Sequence, residues 1–205
     1  MCGRYYIDTA EDNVEMYKII EEVNRRTGGE GVKTFGEIFP TDTVPVIAKD
    51  YDMSPAVFAM KWGYKLPSGQ VIINARSETA AEKPLFREGL RHRRCVVPAT
   101  NYFEWEKHGN KKTKYAIRQS GSPIMYMAGL YRIEGGYPVF SILTREPADS
   151  IRHIHDRMPL ILPGDALIDW LTLQYAPHDI LDQSVIDVEC SVVAEQGPEQ
   201  MSFLI

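Results

Sequence analysis

The chain begins Met1-Cys2-Gly3-Arg4, so removal of Met1 would leave one residue carrying both a thiol and a free α-amine. Their ordinary pKa values, about 8.5 and about 8, leave a fraction of each in its nucleophilic form at neutral pH. A 1,2-aminothiol captures aldehydes: the amine condenses to an imine, and the sulfur closes onto it as a five-membered thiazolidine. Taken alone, a residue in the second position of a chain is usually a frayed terminus, and Cys2 would be read that way. The rest of the chain must supply the groups that such chemistry needs.

Three further clusters offer them. Asn74-Ala75-Arg76-Ser77-Glu78-Thr79 follows an apolar strand, Val71 to Ile73, and strand ends commonly carry sites. Ser77 or Thr79 could simply cap a helix starting near Ala80. Asn74 and Arg76 are not needed for a cap and, being two apart, share one face of an extended chain. In Tyr102-Phe103-Glu104-Trp105 a carboxylate sits between aromatic neighbours, where apolar surroundings would raise its pKa into the range useful for proton transfer. The alternative is that Glu104 faces solvent while Phe103 and Trp105 face the core. His155-Asp156-Arg157-Met158-Pro159 pairs a proton carrier with a guanidinium, a combination suited to an anionic substrate, although a loop histidine can also be inert.

The elements that must position these groups are mostly strands. Thr9 with Asp12 three residues on reads as the start of a helix to about Arg26, with Val14, Tyr17, Ile20 and Val23 along its apolar stripe and Gly28-Gly29 ending it. Short runs rich in β-branched and aromatic residues then follow: Val44 to Ala48, Val57 to Trp62, Val71 to Ile73, Cys95 to Val97, Tyr102 to Trp105, Tyr115 to Arg118, Ile124 to Leu130 and Val139 to Leu143. Helices are predicted over Ala80 to Leu90, split at Pro84, over Pro147 to His153, and over Pro163 to Leu173. Without a regular strand-helix-strand rhythm, this predicts an α+β fold: one domain over residues 1–205 with a curved, mostly antiparallel, barrel-like sheet.

At 205 residues with 44% apolar and 25% charged content, the chain reads as an ordinary soluble protein, and the expected location is the cytoplasm. No apolar run approaches membrane-spanning length, and the start lacks a signal-peptide pattern. Cys2, Cys95 and Cys190 form neither a disulfide framework nor a zinc cluster, so no metal and no cofactor is expected; Cys95 and Cys190 read as small core hydrophobes. The net charge of −5 argues against broad nucleic-acid affinity. The basic residues are nevertheless grouped, as Arg87, Arg91, Arg93 and Arg94 and then Lys107, Lys111, Lys112 and Lys114, so a local basic face is possible.

Together the blocks Cys2-Gly3-Arg4-Tyr5, Trp62-Gly63, Asn74-Ala75-Arg76-Ser77-Glu78, Arg94 to Ala99 leading into Phe103-Glu104-Trp105, and His155-x-Arg157-Met158-Pro159 resemble the SOS-response-associated peptidase (SRAP) family. The resemblance implies the SRAP fold, loss of Met1, and a covalent thiazolidine between Cys2 and the aldehyde form of an abasic site in single-stranded DNA. It gives Asn74 the task of orienting the amine, and Glu104 and His155 that of moving protons. Arg4, Arg76 and Arg157 would hold phosphates, and Trp105 would pack near the nucleotide. The implied partner is abasic single-stranded DNA bound by a monomer, at the nucleoid and away from membranes. Two positions depart from the family pattern: Asn101 replaces a glycine, so a left-handed backbone there would fall to asparagine, and the segment after Gly63 is short. Two other functions fit the same residues: an N-terminal-nucleophile hydrolase with Cys2 attacking an amide, and a non-covalent reader of modified single-stranded DNA.

Overall fold

In a computed structural model describing residues 2–9, 13–109, 111–173 and 182–194, the chain forms two large sheets around a shared core. The strands are β1 (Arg4–Ile7), β2 (Gly36–Ile38), β3 (Thr43–Lys49), β4 (Pro55–Trp62), β5 (Tyr64–Lys65), β6 (Val71–Ile72), β7 (Asn74–Arg76), β8 (Arg94–Ala99), β9 (Asn101–His108), β10 (Lys111–Gln119), β11 (Met125–Glu134), β12 (Tyr137–Arg145), β13 (Met158–Pro159), β14 (Ile161–Leu162) and β15 (Val188–Val192). The α-helices are α1 (Val14–Thr27), α2 (Ser77–Ala80), α3 (Pro84–His92) and α4 (Leu167–Thr172).

Strands β12, β4, β3, β8 and β11 pair in that order, and β11 pairs back onto β12, which closes a barrel. Its pairings are antiparallel except β12–β4, and β7 adds to β12 in parallel, with Ile142 opposite Asn74. The second sheet runs β15-β10-β9-β1-β2 and is antiparallel throughout. The expected α+β fold with a barrel-like, mostly antiparallel sheet is what the residues form. Chain passes from barrel to second sheet at Thr100, whose backbone N–H and hydroxyl both donate to the Tyr6 carbonyl at 2.9 Å. That crossing sets β1, and with it Cys2, against the barrel wall.

Helix α1 starts later than the sequence predicts. Its cap is Asn13, whose Oδ1 accepts from the Met16 N–H at 3.2 Å while its Nδ2 donates to the Pro123 carbonyl at 3.1 Å. Thr9 stands outside the helix, and residues 10–12 lie outside the described part of the chain. The buried stripe is Met16, Ile19, Ile20 and Val23, spaced i, i+3, i+4, i+7, whereas Val14 and Tyr17 are exposed. Burying those four side chains contributes roughly 2 kcal/mol each. Gly28 ends the helix in a left-handed conformation, as expected.

The helix expected over Pro147 to His153 reduces to a single 3₁₀ turn at Asp149–Ile151. Pro84 does split its segment, into α2 and α3, but neither Ser77 nor Thr79 caps: α2 starts at Ser77 itself, whose hydroxyl instead donates to the Thr144 carbonyl at 2.9 Å. Asn101 lies in β9 opposite Tyr6, with no left-handed backbone, so its position makes no demand for glycine. The segment after Gly63 closes as the tight β5–β6 hairpin.

Two local devices hold the walls of the barrel that matter below. Fully buried Trp62 lies 5.2 Å from the Tyr5 ring and stacks on Phe140 at 6.3 Å, and its indole N–H donates to the Ile73 carbonyl at 3.0 Å. The next residue, Gly63, has φ +114°, and a Cβ there would stand 2.3 Å from Val71 Cγ1. Near the His155 loop, the Arg157 guanidinium grips both Glu78 carboxylate oxygens at 2.7 and 2.8 Å and donates to the Thr144 carbonyl at 2.7 Å. This fork ties α2, β12 and the loop together. It holds the Glu78 carboxyl below its ordinary value of 4.5.

Both devices give tests. Gly63→Ala should destabilise the protein by about 3 kcal/mol, through overlap with Val71 and left-handed strain, as read by chemical denaturation. Because Arg157 depresses the Glu78 pKa, the pair's stabilisation is full above the unfolded value and is lost as pH falls through the folded one. The melting temperatures of wild type and Glu78→Gln should therefore differ most at neutral pH and converge below about pH 4.

Candidate active site

Cys2 is wholly buried, two residues before β1, which is paired on one edge to β9 and on the other to β2. A strand fixed on both edges does not fray, and its register carries Cys2 into the core. The Cys2 carbonyl accepts a hydrogen bond from Asn74 Nδ2 at 2.8 Å, across 72 residues of sequence. Asn74 can reach it because β7 is laid parallel beside β12 at the barrel seam. The Cys2 thiol has a weak contact with the Arg4 carbonyl at 3.6 Å. Burial pushes the thiol's pKa well up, and the Glu104 carboxylate nearby pushes it further.

Glu104 is 4% exposed, on the same face of β9 as the fully buried Tyr102. The carboxylate thus points inward, and the solvent-facing alternative for Glu104 does not hold. Phe103 and Trp105 take the opposite face of β9. Tyr5 and Tyr102 are cross-strand partners whose hydroxyls are buried without a hydrogen-bond partner among the described residues, and burial pushes both phenols up. His155 Nε2 lies 4.0 Å from Glu104 Oε2. The Arg157 backbone N–H donates to His155 Nδ1 at 3.0 Å, which requires a bare Nδ1 and puts the ring proton on Nε2, facing Glu104. Asp156 Oδ1 also lies 2.7 Å from Nδ1, but that contact would need a proton there, and this carboxylate is 81% exposed. The backbone donor is the better anchored of the two and sets the neutral tautomer.

A cleft of about 500 Å³ opens over this group. Gly3, Glu104 and His155 form its inner part, and Arg4, Trp105, Lys107 and Lys112 its outer wall. Two hollows of about 350 Å³ elsewhere on the barrel contain none of these residues, so both chemistry and size favour the cleft. Among the described residues no three His, Cys, Asp or Glu side chains converge on a metal position.

The sequence-predicted residues separate into groups. Cys2, Asn74, Glu104 and His155 come together, although they lie on β7, β9, a terminus and a loop. Arg4 and Trp105 stand at the cleft, with the Arg4 guanidinium 5.1 Å from the Trp105 ring. Arg76 is exposed on β7, so Asn74 and Arg76 do not act on one enclosed ligand. Arg157 is buried, and its guanidinium serves Glu78 and Thr144 where a phosphate contact was expected. The two basic groups also part: Arg94 is buried, bonded to the Leu90 carbonyl at 2.8 Å and packed 4.7 Å from the Trp170 ring, whereas Lys107 and Lys112 reach the cleft.

Sequence reasoning missed Glu37. On the three-residue strand β2, it accepts from Arg4 at 3.2 Å and from Lys114 Nζ at 2.9 Å, so an acid sits among the cations. A strand so short has no legible period, and nothing in its composition marks it.

Comparison with known proteins agrees with this geometry. Residues 1–195 match the profile of the family described as SOS response associated peptidase (SRAP). The chain is 37% identical over 208 residues to "Abasic site processing protein YedK" of Escherichia coli, covering 96% of this chain and 86% of that one. It is 31% identical over 198 residues to "Abasic site processing protein YoaM" of Bacillus subtilis, covering 91% and 86%. A crystal structure of a Bacteroides thetaiotaomicron protein superposes with a TM-score of 0.79 at 24% identity, covering 95% of this chain and 93% of that one, and so shares the fold. With nearly its whole length matched, the chain belongs to the SOS response associated peptidase family.

Proposed function

We propose that the chain recognises abasic sites in single-stranded DNA and shields them by forming a thiazolidine through Cys2 once Met1 is gone. The observation that carries this reading is that Cys2, held by Asn74 and shut in beside Glu104, lies behind a cleft lined by Gly3, Glu104 and His155 and, farther out, by cationic and aromatic side chains. Relatives named as abasic site processing proteins support it.

An abasic sugar is mostly a closed hemiacetal. Glu104, inside the cleft, is suited to move the proton that opens it to the aldehyde, with His155 Nε2–H as the group's outer relay. The freed Cys2 amine then attacks the aldehyde carbon and water leaves, giving an imine. Because burial and Glu104 keep the sulfur protonated, the amine acts first. The sulfur then adds across the C=N bond and its proton goes to the ring nitrogen, so one water is the net loss. Asn74 Nδ2 fixes the Cys2 carbonyl, and its buried Oδ1, without a partner among the described residues, is an acceptor suited to the new amine. Arg4, Lys107 and Lys112 suit backbone phosphates, and Trp105 suits a neighbouring base. Arg76, exposed on β7, suits a phosphate farther along the strand.

While Met1 remains, the Cys2 nitrogen is an amide and cannot form the imine. We assign the family's peptidase character to this one bond, Met1–Cys2, cut by the chain itself. In this reading the protein acts as a cytoplasmic monomer at the nucleoid. Intact mass should show wild type lacking methionine and Glu104→Gln retaining it; complete loss in the variant would assign the cut to a separate aminopeptidase.

Processed wild type, incubated with an abasic single-stranded oligonucleotide, should give an adduct that survives denaturing electrophoresis, and Cys2→Ala should give none. Glu104→Gln, freed of Met1 by an added methionine aminopeptidase, should form it roughly 10²- to 10⁴-fold more slowly, and Asn74→Ala about 10- to 100-fold more slowly. No adduct from fully processed wild type would sink the proposal, as would a normal rate for both variants.

A further inference from the structure

The outer face of the sheet β10-β9-β1-β2 carries features that the cleft chemistry does not use. Strand pairing puts Arg4, Tyr6 and Glu37 on the same face as Phe103, Trp105 and Lys114. Rings and cations alternate across it. Lys114 Nζ lies 3.9 Å from the Phe103 centroid, Arg4 lies 4.7 Å from the Phe39 centroid, and Lys33 Nζ lies 5.0 Å from the same Phe39 centroid. Tyr6 links Phe103 to Phe35 with ring centroids 6.3 and 5.9 Å away. Phe35 is 56% exposed and Phe39 39%, which leaves two large apolar rings in water beside three cations, of which Arg4 and Lys114 pair with Glu37 and Lys33 with Asp42. The patch is continuous with the cleft, because Arg4 belongs to both.

Resting on the reading of the cleft given above, we infer that this face is a stacking platform for undamaged nucleotides flanking the lesion on one side of the strand. Bases stack on Phe39 and Phe35, and phosphates take the cations Arg4, Lys114 and Lys33. Single-stranded nucleic acid fits because each base offers a π-face and each linkage a negative charge, matching the alternation of ring and cation. Glu37 gives the platform a second property. Its carboxylate occupies both Arg4 and Lys114 in the free protein, in the place a phosphate would take. Strand binding has to displace it, which lowers affinity for undamaged DNA while leaving covalent capture as the step that commits the complex.

The test uses processed full-length protein and abasic oligonucleotides with two nucleotides on each side of the lesion, extended to eight on the 5′ or the 3′ side. Half-saturating DNA concentration for adduct formation should fall on extension in one direction only. Phe35→Ala should lose about five- to tenfold of that gain and crosslink the short oligonucleotide as wild type does. Glu37→Gln should bind an undamaged 12-mer more tightly and with a steeper salt dependence. The inference is overturned by equal gains in wild type and Phe35→Ala, by no gain in either direction, by unchanged or weaker binding in Glu37→Gln, or by a Phe35→Ala effect confined to the mass of the particle in solution, which would mark a contact between copies. Loss of crosslinking to the short oligonucleotide by wild type would instead strike the reading of the cleft.

Discussion

The hydrogen bond from Asn74 Nδ2 to the Cys2 carbonyl joins the second residue of the chain to the barrel seam, and the rest of the site depends on it. A residue so near a terminus ordinarily frays. Here β1 is paired on both edges, Thr100 holds the Tyr6 carbonyl twice, and Asn74 fixes the carbonyl of the nucleophile itself. The outcome is a terminal residue with the burial of a core residue. Its orientation is settled before any substrate arrives, which removes an ordering cost from the capture step.

Burial imposes its own chemistry. A thiol shut away from water beside a carboxylate resists ionisation, so sulfur is poorly placed to attack first and well placed to attack second. In the proposed capture an amine-first order follows from the same contacts that hold the residue. The alternation of β9 separates the two duties of the sheet. Tyr102 and Glu104 point toward Cys2, whereas Phe103 and Trp105 point outward among Arg4 and Lys114. In the proposed reading one strand supplies proton transfer on one face and strand recognition on the other. This also reconciles an acidic protein with an anionic ligand: the net charge is −5, but the cations that matter are collected on one face.

Much of this was legible in the sequence. The barrel strands announced themselves as short β-branched runs, and Pro84 split its helix because the ring cannot continue one. The four groups at Cys2 were found from residue type and motif blocks, although only β7 and β9 pairing bring them together. The misreadings have common physical causes. The start of α1 was misplaced because Thr9 and Asn13 are both good caps, and the choice was made by the distant Pro123 carbonyl, which Asn13 also satisfies. Arg157 looked like a phosphate ligand because its type suits one, yet its partners, Glu78 and Thr144, lie 79 and 13 residues away and leave no local trace. Glu37 and the flanking rings at Phe35 and Phe39 sit in a stretch too short for any period, and only the pairing of Gly36–Ile38 with β1 gives them meaning.

The most direct test of the central claim is the site and type of the covalent bond. Denatured adduct, digested with protease and sequenced by tandem mass spectrometry, should carry the deoxyribose remnant on the peptide that begins with Cys2, and that cysteine should resist alkylation because its sulfur is part of a ring. A remnant on a lysine, or on a Cys2 whose thiol still alkylates freely, would contradict the account.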